Sequence, residues 1–396
     1  MRCTRNVDDD IIYVGSDNRR DDLFEAIYPA PRGMSYNAYL ILDDKTALMD
    51  TVDRSVTDAF IENIESTLAG RRLDYLVIQH MEPDHSATIF DVLLRHPECV
   101  VVCNHKTYDM IKAFKNRDVN ARIVSDGETL LLGKHTLRFI FAPMVHWPEV
   151  MVSFDMTSGT LFSADAFGTF GALNGAIFAD EVDFKRDYLD EARRYYCNIV
   201  GKYGRQVQSL LCKCSRFCIK RICPLHGLVW RENICYYVNK YAHWSGYEPE
   251  ESGVMIAYAS VYGNTENAAN VLACRLREAG IPCVMHDVSV DEHSYILADA
   301  FKYSHLVFAS VTYNGGAFTS MQNLLLDIVA HGLKGRKIAL IENGSWSPTA
   351  AKSMREILAP LVDTSFIGEA FSFRSSLRDE ACDGIHSFAD AIIQTF

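Results

Sequence analysis

Apolar residues along this chain come in short runs between polar turns, and the rhythm of those runs changes near residue 253. Before that point Ile11-Ile12-Tyr13-Val14, Ala38-Tyr39-Leu40-Ile41-Leu42, Thr46-Ala47-Leu48-Met49, Leu73-Asp74-Tyr75-Leu76-Val77-Ile78 and Cys99-Val100-Val101-Val102 have the length of buried strands. A further pair follows at residues 137–141 and 149–154, and residues 56–68 have the spacing of an amphipathic helix ended by Gly70. The irregular order predicts layered sheets flanked by helices. A polar joint, Gly246-Tyr247-Glu248-Pro249-Glu250-Glu251-Ser252-Gly253, then interrupts the chain. Beyond it, strands at 254–259, 283–286, 306–309, 338–341 and near Phe366 alternate with helices at 264–279, near 295–303, 319–330, 350–358 and up to Phe396. Strict βα alternation predicts a parallel, doubly wound sheet, whose ligands bind beyond the carboxyl ends of its strands. The expected domains are residues 1–247 and 253–396.

Composition narrows the partners. With 396 residues, 48% of them hydrophobic and 23% charged, the chain can bury large cores. A net charge of −12 argues against nucleic acid and anionic membranes, whose phosphates would repel it. No apolar run reaches the roughly 18 residues of a membrane span. The first ten residues form no hydrophobic signal segment, so a cytoplasmic protein with reduced thiols is expected. Among the twelve cysteines, Cys212, Cys214, Cys218 and Cys223 suggest a metal cluster. However, Val207, Leu210, Leu211, Cys214, Phe217 and Cys218 fit one apolar helical stripe. Cys214 and Cys218 are therefore expected to pack as small hydrophobes, with Cys212 pointing elsewhere and Cys223 in the next strand.

The densest chemistry lies in Gln79-His80-Met81-Glu82-Pro83-Asp84-His85-Ser86, directly after a predicted strand. Past the strand edge the alternate residues His80, Glu82 and Asp84 can converge, because Pro83 delays a helix. Two imidazoles and two carboxylates this close would be costly to bury without a cation. Three more ligand types end or follow strands: His146, Asp165 and His226. Four imidazoles and three carboxylates are too many for one ion; they suit two metals sharing one carboxylate, with Asp165 the natural bridge. Three anionic ligands favour redox-active iron over zinc.

The second half has its own cluster. Ser260-Val261-Tyr262-Gly263-Asn264-Thr265 opens the helix after its first strand. It lacks a P-loop lysine and a G-x-G-x-x-G, but hydroxyls and backbone N–H groups at a helix start can hold a phosphate. Thr312-Tyr313-Asn314-Gly315-Gly316 is expected to follow the third strand, and Gly344-Ser345-Trp346 the fourth. Tyr313 and Trp346 could line a flat aromatic ligand. Together the three loops point to a mononucleotide flavin.

With H-x-E-x-D-H at His80 to His85, then His146 after 60 residues, Asp165 after 18 and His226 after another 60, the whole chain resembles the flavodiiron proteins. That resemblance implies an α/β multidomain fold: an N-terminal metallo-β-lactamase-like αββα sandwich followed by a flavodoxin-like doubly wound sheet. It implies that His80, Glu82 and His146 bind one iron, that Asp84, His85 and His226 bind the other, and that Asp165 bridges. It also implies FMN on residues 260–265. Electrons would pass from FMN to the di-iron site, which reduces dioxygen to water, nitric oxide to nitrous oxide, or both. The alternative is a dizinc hydrolase with an appended flavodoxin domain, whose relatives carry H-x-H-x-D-H; a third reading is a plain electron carrier. The chain stops after the second domain, so the electron donor is expected to be separate, either a rubredoxin-like protein or a reduced cofactor. Phe24-Glu25 resembles a pocket entrance, with Phe24, Met144 and Trp147 as dry walls. A head-to-tail homodimer, or a dimer of such dimers, is implied.

Overall fold

The computed structural model describes residues 3–396. They form two compact units: the chain up to Tyr196 with Tyr203–Ala242, and Cys197–Lys202 with His243–Phe396.

In the first unit a seven-stranded sheet runs in the order Arg5–Asn6, Ile11–Tyr13, Tyr39–Ile41, Ala47–Met49, Tyr75–Val77, Val100–Cys103, Ala121–Ile123. Its first four strands pair antiparallel; from Ala47–Met49 onward pairing is parallel. A second sheet orders Thr129–Leu131, Thr136–Phe141, Met151–Asp155, Thr160–Phe162 and Arg221–Cys223. The sheets face each other, with the Tyr39 ring 5.6 Å from Phe162. Strands such as Tyr39–Ile41 and Thr160–Phe162 are buried throughout, as strands covered on both faces must be. Thr57–Leu68 covers an outer face with Phe60, Ile61, Ile64 and Leu68, the stripe expected from its sequence. Asp53 caps the preceding 3₁₀ turn through Ser55 N–H, and the helix stops at Ala69 in the left-handed region, followed by Gly70 at φ 85°. The αββα sandwich is therefore observed.

The second unit holds a parallel sheet in the order Cys283–Asp287, Glu251–Ala259, Tyr303–Tyr313, Lys337–Asn343, Ser365–Phe366. Numbered along the chain this is 2-1-3-4-5, the flavodoxin order, with its switch point between Glu251–Ala259 and Tyr303–Tyr313. Arg336, buried without a carboxylate partner, donates to the carbonyls of Ala300, Phe301 and Tyr247, which fastens the joint segment to this unit.

Four expectations need correction. Pro83 does not delay the helix: it occupies the first position of the single turn Pro83–Ser86, where its missing N–H costs nothing. Asp84 and His85 therefore leave the extended row of His80 and Glu82. The cysteine helix ends at Cys214, so Cys218 lies beyond it and is exposed rather than packed. The helix expected near 295–303 is His293–Lys302, and Tyr303 already begins the long strand Tyr303–Tyr313. Thr312 and Tyr313 consequently end that strand instead of following it; only Asn314 and Gly315 turn, both at positive φ, and Gly316–Ala317 pairs back. Among the described residues no helix is long and apolar enough to cross a membrane.

Candidate metal centre and phosphate cradle

The seven ligand-type residues meet beyond the strand ends, where the two sheets of the first unit leave room. They fall into two groups: His80, Glu82, His146 and Asp165, and Asp84, His85 and His226. In the first, Glu82 Oε2 lies 3.1 Å from His80 Nε2 and 2.9 Å from His146 Nε2. Asp165 Oδ2 lies 3.4 Å and 3.1 Å from the same two nitrogens. In the second, Asp84 Oδ2 lies 3.2 Å from His85 Nε2 and 3.1 Å from His226 Nε2. Asp165 faces this group with its other oxygen, Oδ1, 3.2 Å from His85 Nε2. One carboxylate thus offers one oxygen to each group.

The interior is nearly dry. His80, His85 and His226 are fully buried, and Asp165 is 1% exposed. Both oxygens of Asp84 and Oδ1 of Asp165 have no hydrogen-bond partner, a state that costs kilocalories unless a cation is present. His85 Nε2 and His226 Nε2 stand 3.0 Å apart, ring nitrogens aimed at one point. Burial disfavours a charged His85, yet Asp84 and Asp165 carry it up to about 10; His146 behaves alike, reaching about 9 against its burial through Asp165 and Glu82. Burial would neutralise Glu82, but bonds from His146 and His80 hold it at about 2. Seven buried donor residues gathered in two groups, with one carboxylate shared between them, fit two metal ions.

Outer groups orient the rings. His80 Nδ1–H donates to Glu149 Oε1 at 2.9 Å, and the same oxygen accepts Met81 N–H. His226 Nδ1–H donates to Ser35 O at 2.7 Å. Each bond leaves Nε2 free for a metal. Buried Asp50 accepts from the Gln79 and His80 backbone N–H groups and from the Gln79 amide, fixing where the strand ends. Phe24, Tyr36 and Tyr195 surround His226 with ring centroids 5.3 to 5.6 Å away, and Trp147 stands edge-on to His80 at 5.4 Å. The Tyr195 hydroxyl is buried without a partner.

In the second unit, Gly263 adopts φ 85° as the residue before the helix Asn264–Glu278, with open space where a Cβ would stand. Thr265 is buried in the first turn, and Ser260 Oγ is buried with no partner. Such a helix start offers N–H groups and positive dipole to a phosphate. Thr312 Oγ1 accepts from Thr349 N–H and Ala350 N–H, tying the third strand to the fourth loop. Tyr262, Tyr313 and Trp346 present exposed rings; Tyr262 is 91% and Trp346 82% exposed, unusual for such apolar surface. An orphaned hydroxyl, an open glycine cradle and bare aromatic faces at the switch point fit a flavin mononucleotide. The four cysteines of 212–223 form no metal-ligating group among the described residues.

Comparison with known proteins places this arrangement. Residues 34–227 match the family model of the ODP family beta lactamases. A flavodiiron protein from Giardia intestinalis has the same fold, with a TM-score of 0.91 at 23% identity over 99% of this chain and 97% of its own. A nitric oxide reductase of Moorella thermoacetica is 31% identical over 358 residues, 89% of this chain and 88% of its own. The chain belongs to the flavodiiron family. Rubredoxin oxygen:oxidoreductase from Desulfovibrio gigas superposes with a TM-score of 0.93 at 26% identity, covering 99% of this chain and 98% of its own. An anaerobic nitric oxide reductase flavorubredoxin of Vibrio vulnificus is 29% identical over 92% of this chain and 74% of its own. As a flavodiiron protein the chain is an oxidoreductase, and the hydrolase reading is not favoured.

Sequence reasoning missed Glu149, Ser35, Asp50, Tyr36 and Tyr195. Glu149 had a readable signal, an acid two residues before the buried strand Met151–Asp155. The others lie on the strand Met34–Tyr36, at the end of the helix Leu189–Tyr195 and just past the strand Ala47–Met49, segments that only the tertiary fold brings to the flavodiiron centre.

Proposed function

We propose that this flavodiiron protein passes electrons from FMN to a di-iron centre that reduces dioxygen to water, nitric oxide to nitrous oxide, or both. The observation that carries the reading is the division of Asp165, one oxygen to each ligand group. His80, Glu82 and His146 are assigned to one iron, Asp84, His85 and His226 to the other, with Asp165 between them. Irons held by these residues would supply the redox chemistry for reducing a diatomic gas. The chain's residues do the rest: carboxylates set the charge, Glu149 and Ser35 aim the imidazoles, and the rings of Phe24, Tyr36, Tyr195 and Trp147 keep bulk water out.

The FMN phosphate is assigned to Ser260, Val261, Tyr262, Gly263, Asn264 and Thr265. Thr312, Tyr313, Asn314, Gly315 and Gly316, with Gly344, Ser345 and Trp346, flank the ring. Residues 1–247 are the metal domain and 253–396 the flavin domain. The names of the Desulfovibrio gigas and Vibrio vulnificus proteins support a rubredoxin-like electron donor, with a reduced cofactor as the other source. A cytoplasmic, head-to-tail homodimer, alone or paired into a tetramer, completes the reading. Metal and flavin analysis followed by anaerobic turnover with each gas tests it: about two irons and one FMN per chain with reduction of either gas are expected, and zinc with hydrolytic activity overturns it.

A further inference from the structure

The loop that carries Asp165 is held from behind by a single helix. Asp165 follows the strand Thr160–Phe162, and its neighbours Ala164 (φ 50°) and Phe167 (φ 68°) occupy the left-handed region without being glycine. Such backbone is unfavourable for both residues and persists only where the surroundings over-determine it. Here they do so through two fully buried tyrosines, Tyr237 and Tyr241, one turn apart on the helix Ile234–Ser245. The Tyr241 hydroxyl oxygen accepts Phe167 N–H at 2.6 Å, and its ring lies 4.3 Å from that of Phe167. Tyr237 O–H donates to Gly168 O at 3.0 Å, with its ring stacked on Trp230 at 4.6 Å. On its other side the loop has no room to move. A Cβ on Gly168 would stand 2.7 Å from the Tyr195 ring, whose centroid is 5.6 Å from that of His226. Within the loop, Ser163 O–H donates to Ala166 O at 2.7 Å and Gly168 N–H to Asp165 O at 3.0 Å. None of these bonds touches the Asp165 carboxylate, which is left to divide its oxygens between the two ligand groups.

We propose that Tyr241, seconded by Tyr237, is the positioning residue of the bridging carboxylate. The proposal rests on the di-iron reading and adds to it the element that fixes how Asp165 spans the two ligand groups. A carboxylate shared by two ions tolerates little displacement, because moving it toward one group takes it away from the other. Its Oδ1 lies 3.2 Å from His85 Nε2 and its Oδ2 3.1 Å from His146 Nε2. A loop free to relax its two left-handed residues would carry Asp165 with it. Tyr241 opposes that relaxation at the strained residue itself. Phe167 is 3% exposed, and a buried N–H without an acceptor is costly. Tyr237 acts on a carbonyl, which tolerates the loss of a partner better than an N–H does, so its share is the smaller. Both hydroxyls act through the backbone alone, and no proton or electron moves through them.

Tyr241→Phe keeps the ring and removes the hydroxyl. Wild type and variant are loaded anaerobically with ferrous ion, and its transfer to a ferrous chelator is followed without any turnover. The magnetic coupling between the two irons is then measured on the oxidised proteins. Because Asp165 belongs to both groups, both irons are expected to leave Tyr241→Phe about tenfold faster than wild type, with the coupling altered. Tyr237→Phe should lie between the two. Thr46→Val controls for lost stability: buried Thr46 donates to Arg72 O at 2.6 Å, ahead of the strand Ala47–Met49 whose far end leads to Asp50. It should lower the unfolding temperature and leave iron release and coupling at wild-type values. Wild-type release and coupling in Tyr241→Phe overturn the proposal, as does release from Thr46→Val as fast as from Tyr241→Phe. Faster loss of one iron alone also overturns it, since the bridge serves both. Should Tyr241→Phe fail to fold, Tyr237→Phe carries the same test with the same outcomes. Wild-type protein that takes up fewer than two ferrous ions overturns the di-iron reading along with the proposal, which separates the two failures.

Discussion

Glu149 shows how one side chain acts on a metal it does not touch. Its Oε1 accepts both His80 Nδ1–H and Met81 N–H, and the residue is 1% exposed. The bond to His80 fixes the tautomer with Nε2 free and makes that nitrogen a better donor. Burial opposes the charge on Glu149, but the bond to His80 keeps its acidity stronger than an ordinary glutamate's. Glu149→Gln should preserve packing and lose the charge-assisted bond. Metal affinity of the site containing His80 is expected to fall about 10- to 100-fold, with far-ultraviolet circular dichroism unchanged. Iron retained after dialysis against graded chelator measures this, and wild-type retention would remove Glu149 from the centre's outer shell.

At the level of elements, ligand placement depends on how each segment leaves its strand. Gly227, next to His226, adopts φ 78°, and a Cβ there would stand 2.0 Å from Thr169 Cγ2. Its N–H also bonds Ser35 Oγ at 2.7 Å, beside the carbonyl that receives His226. Gly227→Ala must shift the loop that carries His226, so a loss of about 2–3 kcal/mol and of iron at the second site is expected. Gly70 is the control. Its φ is 85° with nothing within 4 Å of a Cβ, so Gly70→Ala should cost only about 1 kcal/mol, the backbone penalty alone. Thermal unfolding of both variants checks the contrast; equal losses would mean the Thr169 contact yields freely. The same distinction explains what the sequence discloses. The strand–helix rhythm of residues 254–396 was legible because its central strands are buried apolar runs and its helices show apolar stripes. His80, His146, Asp165 and His226 were legible because strand ends are marked by the last residue of an apolar run. The turn at Pro83 was not, since proline both blocks a helix interior and starts a helix. Ser35 and Asp50 were not, because each acts through hydrogen bonds across at least 29 positions of sequence. No local pattern records such a contact.

For the whole molecule the question is which flavin serves which irons. The proposed head-to-tail dimer pairs the FMN of each chain with the irons of its partner, so that one two-fold axis creates two composite sites. A metal-dead chain, Asp84→Ala with His226→Ala, and a flavin-dead chain, Thr265→Asp, make this measurable. Asp84 and His226 lie 3.1 Å apart in one ligand group, so removing both empties it. Thr265 is buried at the phosphate cradle, where an added carboxylate repels a phosphate dianion. Each variant alone should be nearly inactive. Co-assembled at equal amounts, about half of the dimers are mixed, and each holds one intact pair, flavin from the metal-dead chain and irons from the other. Activity of about a quarter of wild type is expected, because half the dimers carry one good site of two. Electron transfer within a chain gives a different result: the metal-dead chain would have flavin without irons, the flavin-dead chain irons without flavin, and their mixture would stay as inactive as the parents. Subunit exchange must be shown by native mass spectrometry of differently tagged chains. With mixed dimers present and no activity regained, the head-to-tail arrangement is wrong and each flavin serves the irons of its own chain.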